Sequence, residues 1–245
     1  ENDIIEKKQY ELIKKNNESI FISSGAADCK TLELIYNKDL EANKTNAEWL
    51  NKTCSFFRIL KCTESETYFN ASVYLHKIKP TVESANGCAE MMYLKKNYSS
   101  AISFYNEAIS LETKNSNKAE YQYKIAQIYY LHMKNFPKAR DYANEAIANK
   151  PNWGKPYILI AMMYAETKNI FGDDPILNAT VYWAAVDKLE KAKKVDPSSA
   201  EDAQSLINTY KKYYPKKEDV FFKPELEPGK SFKIGGWINE SVISR

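Results

Sequence analysis

The residues that most often carry out chemistry are scattered along this chain. His76 and His132 are its only histidines, and neither has a Ser, Cys or carboxylate at a spacing typical of a nucleophile, a general base or a metal site. The pair Asp173 and Asp174 has two of the acids of a calcium loop, but that motif needs ligands at several further positions, so we interpret the pair as a turn. The chain has no phosphate loop, nucleophile elbow or dinucleotide fingerprint. We therefore predict a protein that is not an enzyme and that uses no cofactor or metal.

The cysteines leave two interpretations open. Cys29, Cys54, Cys62 and Cys88 all lie in the N-terminal half, and no two of them form a Cys-x-x-Cys pair, so a zinc or haem site is not indicated. The interpretation that we favour is that all four are unpaired thiols. The alternative is one disulfide, for which Cys29 and Cys62 are the best candidates, and this bond would require an oxidising compartment.

The charge balance gives no electrostatic argument for a nucleic-acid or anionic-membrane partner. Lys and Arg number 35 and Asp and Glu number 32, a formal net charge of +3. The segment 211–217 interleaves lysines with tyrosines, as single-strand binders do, but a lysine-rich helix end explains it better because the helix dipole favours cations there. Seven Asn-x-Ser/Thr triplets occur, and we attribute them to the abundance of asparagine. We predict no nucleic-acid partner.

The composition favours helices as the elements that position these residues. Glycine is scarce, with 7 residues, tyrosine is abundant, with 18, and no run of alternating β-branched residues precedes the C-terminus. No apolar run approaches the roughly 18 residues that span a bilayer, so no transmembrane segment is predicted. The first residues do not have the pattern of a signal peptide, although a chain trimmed of its signal would look the same.

Residues 118–157 contain the clearest pattern in the chain. Ala126 precedes Tyr129 by three residues in one predicted helix, and a second helix carries small residues on one face before it ends at Pro151. This pattern resembles the tetratricopeptide repeat (TPR), in which two helices recur every 34 residues and pack through small side chains. The small residues of the second helix are Ala139, Ala143 and Ala146.

The resemblance extends along the chain and predicts an all-α fold. We expect a TPR-type α-solenoid of about five helix pairs with a capping helix and a short extended or β C-terminal tail, in one continuous domain. Residues 1–80 would form degenerate repeats, starting with a helix over 3–15. Residues 81–213 would form clearer repeats and the capping helix, and residues 214–245 the tail. The aromatic residues expected to pack the tail onto the repeats are Phe221, Phe222, Phe232 and Trp237.

A repeat of this kind implies a surface for binding and no catalytic activity. The first helices of stacked TPR pairs line a concave surface, where tyrosines are efficient anchors for a protein or peptide partner. The alternative is a structural subunit whose groove is filled by its own tail and which binds through its convex face, and a hydrolase is a remote third option. The residues expected to line the concave face are Asn86, Glu90, Tyr93, Tyr123, Gln127, Tyr130, Lys155, Ile158 and Met162.

Four longer stretches of the sequence resemble a narrower group of TPR proteins. The stretches NWGKPYILIAMMYA, VYWAAVDKLEKAKKVDP, YYPKKEDVFF and GGWINESVISR resemble the C-terminal half of exported TPR proteins from Gram-negative anaerobes. This resemblance implies a precursor with a signal peptide, a periplasmic or outer-membrane-associated location and a noncatalytic assembly role. A cytoplasmic location stays open. TPR proteins that bind chaperone tails clamp a carboxylate with Lys and Asn where this chain has Asn86 and Glu90, so that specificity is not expected.

Overall fold

The chain is helical apart from loops and one short hairpin near its C-terminus, within the residues that the structure describes. The computed structural model describes Ile20 and residues 28–245, so the helix predicted over 3–15 lies outside the described residues. The chain divides into two compact units, Glu1–Leu111 (unit 1) and Glu112–Arg245 (unit 2). Each unit consists of helices packed in sequence order.

Unit 1 is built from helices that pack on their neighbours in the chain. The helices are α1 (Cys29–Leu40), α2 (Ala47–Ile59), α3 (Glu66–Ile78), α4 (Val82–Leu94) and α5 (Tyr98–Leu111). α2 packs on α3, α3 on α4, and α4 on α5. The side chains that precede the first four helices accept hydrogen bonds from backbone N–H groups of the first turn, which explains where those helices begin.

The N-terminal core of unit 1 is filled by aromatic rings. Phe57 lies between Tyr36, in edge contact at 6.1 Å, and Tyr68, stacked at 6.3 Å. A disulfide joins Cys29 at the start of α1 to Cys62 in the loop between α2 and α3, with the two Cα atoms 5.3 Å apart, so the favoured interpretation of four unpaired thiols is wrong. Such a bond stabilises mainly by limiting the conformations of the unfolded chain. Unit 1 therefore combines bulky packing with a covalent link.

The two remaining cysteines are free and buried. Burial raises the pKa of the Cys54 thiol to about 11 and that of Cys88 to about 12, so neither is a thiolate at neutral pH. Both are structural rather than reactive, because the thiolate is the nucleophilic form.

One glycine allows α3 and α4 to approach closely. A Cβ atom at Gly87 would lie 1.9 Å from the Ser72 hydroxyl oxygen, which is itself buried. Any side chain at this position would force the two helices apart.

Unit 2 contains two helical hairpins followed by a covering helix. The helices are α6 (Asn115–Leu131), α7 (Phe136–Asn149), α8 (Lys155–Glu166), α9 (Pro175–Ala179), α10 (Val181–Val195), α11 (Ala200–Tyr210) and α12 (Lys217–Val220). α6 packs on α7 and α8 on α10, while α11 covers α10. Residues 167–174 and α9 lengthen the turn between α8 and α10.

Small residues allow the helices of unit 2 to pack closely. Ala126, the small residue that the repeat pattern identifies in α6, and Ala161 of α8 are both 0% exposed, and they lie in one core with the fully buried Trp183. Ala139 and Ala143 of α7 belong to the same core. The alanine spacing that predicts the fold is thus the spacing that places these residues in the core.

The C-terminal tail forms a hairpin that packs on unit 2. Strands β1 (Ser231–Ile234) and β2 (Glu240–Ile243) are antiparallel. Between them, Trp237 contacts Phe136 at 5.7 Å and Tyr164 at 5.3 Å. Hydrogen bonds add to this packing, because the Arg140 guanidinium donates to the carbonyl oxygen of Ile238 at 2.6 Å and the Tyr164 hydroxyl to the Glu240 carboxylate at 2.7 Å.

Two of the four aromatic residues predicted to pack the tail do not do so. Phe232 and Trp237 are half-buried and belong to the margin of the core, but Phe221 is 82% exposed and Phe222 77% exposed. The reason is the length of α12, which is a single turn and buries only Val220. The expectation that Phe221 and Phe222 attach the tail is therefore wrong.

Candidate functional site

A cleft in unit 2 is the strongest candidate for a binding site. It has a volume of about 690 Å³ and is lined by residues from α6, α8, α11 and the loop between α7 and α8. The lining residues are Glu120, Tyr123, Lys124, Gln127, Lys150, Trp153, Lys155, Ile158 and Asp202.

Helical periodicity brings two pairs of side chains to the cleft. Tyr123 and Gln127 are four residues apart on α6, and Lys155 and Ile158 are three residues apart on α8. Residues at these separations share one face of a helix. α6 and α8 are the first helices of their hairpins, which are the helices that line the inner surface of a TPR stack.

The start of α8 is held in place by a close backbone contact. The N–H of Gly154 donates to a carboxylate oxygen of Asp196 at 2.9 Å, and a Cβ at Gly154 would lie 2.6 Å from the Ser199 side chain. Asp196 also accepts hydrogen bonds from Ser198, and these bonds lower the pKa of its carboxyl to about 2. Ser199 directly precedes α11, so this contact also positions the helix that brings Asp202 to the cleft.

Aromatic rings form one wall of the cleft. The rings of Tyr123 and Trp153 meet edge to face with centroids 4.9 Å apart. The Lys150 ammonium lies 4.6 Å from the centre of the Trp153 ring and 3.2 Å from a carboxylate oxygen of Glu120. Burial raises the pKa of Tyr123, so its hydroxyl is neutral and able to donate a hydrogen bond. These contacts hold the aromatic wall in one conformation.

The charged groups of the cleft have a small excess of positive charge. Three lysines (Lys124, Lys150 and Lys155) outnumber two acids (Glu120 and Asp202), and one of those acids already pairs with Lys150. The lining contains no serine, cysteine or histidine that could act as a nucleophile or general base. Within residue 20 and residues 28–245, no group of three or more His, Cys, Asp or Glu could hold a metal ion.

The structure brings together four of the six residues predicted to line the concave face in this unit. Tyr123, Gln127, Lys155 and Ile158 meet in the cleft. The other two residues, Tyr130 and Met162, do not line it.

Both exceptions lie one turn further along the same helices. Tyr130 is 2% exposed, packs on Phe136 and donates its hydroxyl hydrogen to the Glu166 carboxylate. Met162 is half-buried against the core of unit 2. The prediction that Tyr130 is open to a partner is wrong, because the end of the hairpin covers that part of the helix.

The three residues predicted in unit 1 have mainly internal partners. Asn86 is 4% exposed and donates to the Tyr68 hydroxyl at 3.1 Å, so the expectation that it contacts a partner is wrong. Glu90 accepts a hydrogen bond from the Tyr105 hydroxyl at 2.8 Å. Tyr93 is half-buried and in edge contact with Tyr98 at 5.9 Å. The cause is that α4 is buried at six successive positions, 84–89, and so presents little open surface there.

The sequence pattern missed the part of the cleft that lies outside the first helices. Trp153 lies in the loop before α8, which begins two residues later. The Pro-Asn-Trp-Gly order of residues 151–154 is a turn signal that could have indicated this loop. Lys150 and Asp202 enter the cleft from the same loop and from α11, and their positions depend on tertiary packing.

Comparison with known proteins supports one fold. No family model matches the chain. A crystal structure of MamA, which is TPR-like, matches with a TM-score of 0.53 and 20% sequence identity over 77% of this chain and 89% of that one. The fold of the chain is therefore that of a tetratricopeptide-repeat protein. A second MamA crystal structure matches with a TM-score of 0.47 and 21% identity over 65% of this chain and 87% of the other.

A relative with TPR repeats is also similar in sequence. The DnaJ homolog subfamily C member 7 homolog of Dictyostelium discoideum is 25% identical over 139 residues. The match includes 57% of this chain but only 23% of that protein, so the TPR likeness concerns a small part of the relative. None of the helices formed by residues 28–245 is both long and apolar enough to cross a membrane.

Proposed function

We propose that this chain is a noncatalytic scaffold that binds a protein or peptide, and that the cleft of unit 2 is its binding surface. The observation that carries the proposal is the meeting of four predicted concave-face residues with Trp153 around one cavity of about 690 Å³. TPR-like proteins among the similar proteins support the scaffold role.

The lining has the properties of a binding hot spot. Trp and Tyr contribute large contact areas at small entropic cost, and they dominate the energetics of many interfaces. Here Trp153 is held by Tyr123 and by the Lys150 ammonium. A wall that is ordered before binding loses less entropy when the partner arrives, so more of the contact energy appears as affinity.

The position of the tail favours this function over the alternative of a structural subunit whose groove is filled by its own tail. All residues that line the cleft lie between 120 and 202, and none belongs to the tail, 214–245. Trp237 instead packs on Phe136 and Tyr164, and β2 packs on α10. The cleft therefore stays accessible while the tail packs elsewhere on unit 2.

The proposed location is the cell envelope, outside the cytoplasm. The Cys29–Cys62 disulfide supports it, because structural disulfides form and persist in oxidising compartments. The resemblance to exported TPR proteins points the same way. Mass spectrometry of nonreduced protein from its native source tests this location: a linked Cys29–Cys62 pair supports it, and two free thiols at these positions contradict it.

Affinity capture from an envelope extract with matched variants tests the binding surface. Lys155→Glu reverses an exposed charge in the cleft, and Lys191→Glu makes the same change on an exposed lysine of α10 outside it. Trp153→Ala removes the central ring, and Tyr129→Ala truncates a half-buried ring of α6 that does not line the cleft.

We expect both cleft variants to lose partner capture by about tenfold or more, and both controls to retain it. Melting temperatures of all four variants establish that they are folded. Equal capture by the cleft variants and their controls would remove the cleft from the proposed function.

A further inference from the structure

The two most exposed large apolar side chains of the described residues lie next to each other on the tail. Phe221 is 82% exposed and Phe222 77% exposed, and their rings meet edge to face with centroids 5.4 Å apart. Neighbouring exposed apolar groups of this size are unusual on a monomer and mark a contact surface. The proposed cleft does not include them.

A cavity lies directly beside this ring pair. It has a volume of about 740 Å³, and its apolar wall is formed by Val220, Pro224 and Pro228 together with Phe221. Its charged rim consists of Lys217, Lys223, Glu227 and Arg245. The same small region of unit 2 thus presents a projecting apolar group and a recess.

We infer that this region is a homodimer contact, in which Phe222 and Phe221 of one copy enter the recess beside the same rings of a second copy. A two-fold interface requires one patch to be complementary to itself, so a projection and a recess must lie side by side on each copy. The aromatic pair and the adjacent cavity meet this requirement.

The local charge favours a second copy over an anionic surface. Residues 216–230 contain four lysines and four acidic residues, so the segment carries no net charge, and Arg245 at the rim of the recess is paired with Asp187. A neutral patch of mixed charges can face a copy of itself without repulsion. Attachment to an anionic bilayer instead relies on an excess of basic residues near the inserted rings.

The rim charges around the recess are held in position within each copy. Lys223 pairs with Asp174, and Arg245 pairs with Asp187 while it donates to the Tyr214 hydroxyl at 2.6 Å. These contacts anchor the walls of the recess to α10 and to the residue that precedes α9. A second copy would therefore meet a surface that is already ordered.

The available area predicts a weak dimer. Four aromatic rings, two from each copy, bury roughly 600–1,000 Å² in total at the usual 150–250 Å² per ring. Stable interfaces bury about 1,200–2,000 Å², and smaller ones belong to transient complexes. We expect a dissociation constant on the order of micromolar, so the dimer should form and dissociate within an accessible concentration range.

Sedimentation velocity of the full chain over a wide concentration range tests the inference. The expected result is a concentration-dependent shift from monomer to dimer that is abolished in the double variant Phe221→Ser, Phe222→Ser. The control is Leu131→Ser, which removes an exposed apolar side chain of α6 away from the recess, and it should dimerise like the wild type. A monomer at every concentration, or a dimer that the double variant retains, would overturn the inference.

A crosslinking experiment locates the contact. A photoreactive phenylalanine analogue at position 222, in a mixture of isotopically light and heavy copies, should crosslink to residues 217–228 or to Arg245 of the other copy. Crosslinks confined to other regions would contradict the proposed geometry. Cosedimentation of monomer with neutral or anionic lipid vesicles, lost in the double serine variant, would overturn the dimer and show that a lipid surface is the true occupant.

Discussion

The two units reach a packed helical structure by different means. In unit 1 the helices near the N-terminus enclose large rings, with Phe57 between Tyr36 and Tyr68, and a disulfide links α1 to the loop that follows α2. In unit 2 the helices approach through alanines such as Ala126 and Ala161, and a C-terminal hairpin covers the helix ends. The N-terminal helices of unit 1 rely on bulky side chains and a covalent link, whereas unit 2 relies on alanines at its helix contacts and on a tail.

The two units also differ in how much of their first helices stays exposed. α4 of unit 1 is buried at successive positions, and its polar side chains are directed to partners such as Tyr68 and Tyr105. α6 and α8 of unit 2 bury one side through their small residues and leave Tyr123 and Lys155 at a cleft. In α6 and α8, the face opposite the small residues therefore lines the proposed cleft.

The largest expected effect comes from removing the Cys29–Cys62 disulfide, which only unit 1 contains. Replacing both Cys29 and Cys62 by serine should lower the free energy of unfolding by about 2–4 kcal/mol, because the bond closes a loop across a sequence separation of 33 residues. Denaturant unfolding followed by hydrogen exchange should show the loss in unit 1 and little change in unit 2. A reducing agent should reproduce the effect in the wild type, since the other two cysteines are free thiols. Equal stability of oxidised and reduced protein would contradict the role of the disulfide.

An intermediate effect tests the alanine packing of unit 2. Ala126→Leu should destabilise the protein by roughly 1–3 kcal/mol, because the added atoms have no space in a closely packed core. Ala148→Leu is the matched control, since Ala148 is an exposed position of α7 and should change stability by less than about 0.5 kcal/mol. Thermal denaturation measures both variants, and an unchanged melting temperature for Ala126→Leu would show that the contact is not tight.

The smallest expected effect concerns Asp196, whose hydrogen bond with Gly154 holds the start of α8 in place. Hydrogen bonds from Ser198, Gly154 and Ser199 lower the pKa of Asp196 from 3.8 to about 2 in the folded protein. A lowered folded-state pKa stabilises the protein above the unfolded value, so this contribution is complete above about pH 4 and is lost as the pH falls towards 2. Asp196→Asn should cost on the order of 0.5–1 kcal/mol at neutral pH, the usual value of a capping side chain.

The pH dependence of this destabilisation shows whether the ionised carboxylate of Asp196 is responsible for it. The difference in melting temperature between wild type and Asp196→Asn should shrink as the pH falls from 4 towards 2, the range bounded by the two pKa values of Asp196. A difference that is constant over this range would show that the ionised carboxylate is not responsible.

The two units also show which parts of the structure the sequence predicts. Alanines at helical spacing, followed by a proline, predict the hairpins of unit 2 because small side chains on one face of a helix let a second helix pack closely against it. The same periodicity places Tyr123, Gln127, Lys155 and Ile158 on the correct helix faces. Helical spacing alone does not tell how far along a helix its face stays open, so the pattern predicts Tyr130 at the surface although the end of the hairpin covers it.

Long-range packing decides the features that the pattern missed. Asn86 lies between small residues that draw α4 against α3, and only the packed helices show that its side chain points at Tyr68. The hydrophobicity of Phe221 and Phe222 predicts that they pack, yet a single-turn helix can bury only one of its side chains, Val220. Trp153 lines the cleft from the loop that precedes α8, and the position of this loop depends on tertiary packing.

Hydrogen exchange of the full chain with and without its captured partner is the measurement that tests the central claim most directly. Binding in the cleft should slow exchange in residues 120–127 and 150–158, and Lys155→Glu should remove this protection while Lys191→Glu retains it. Protection confined to the tail or to α10, or identical protection in the two variants, would contradict the account.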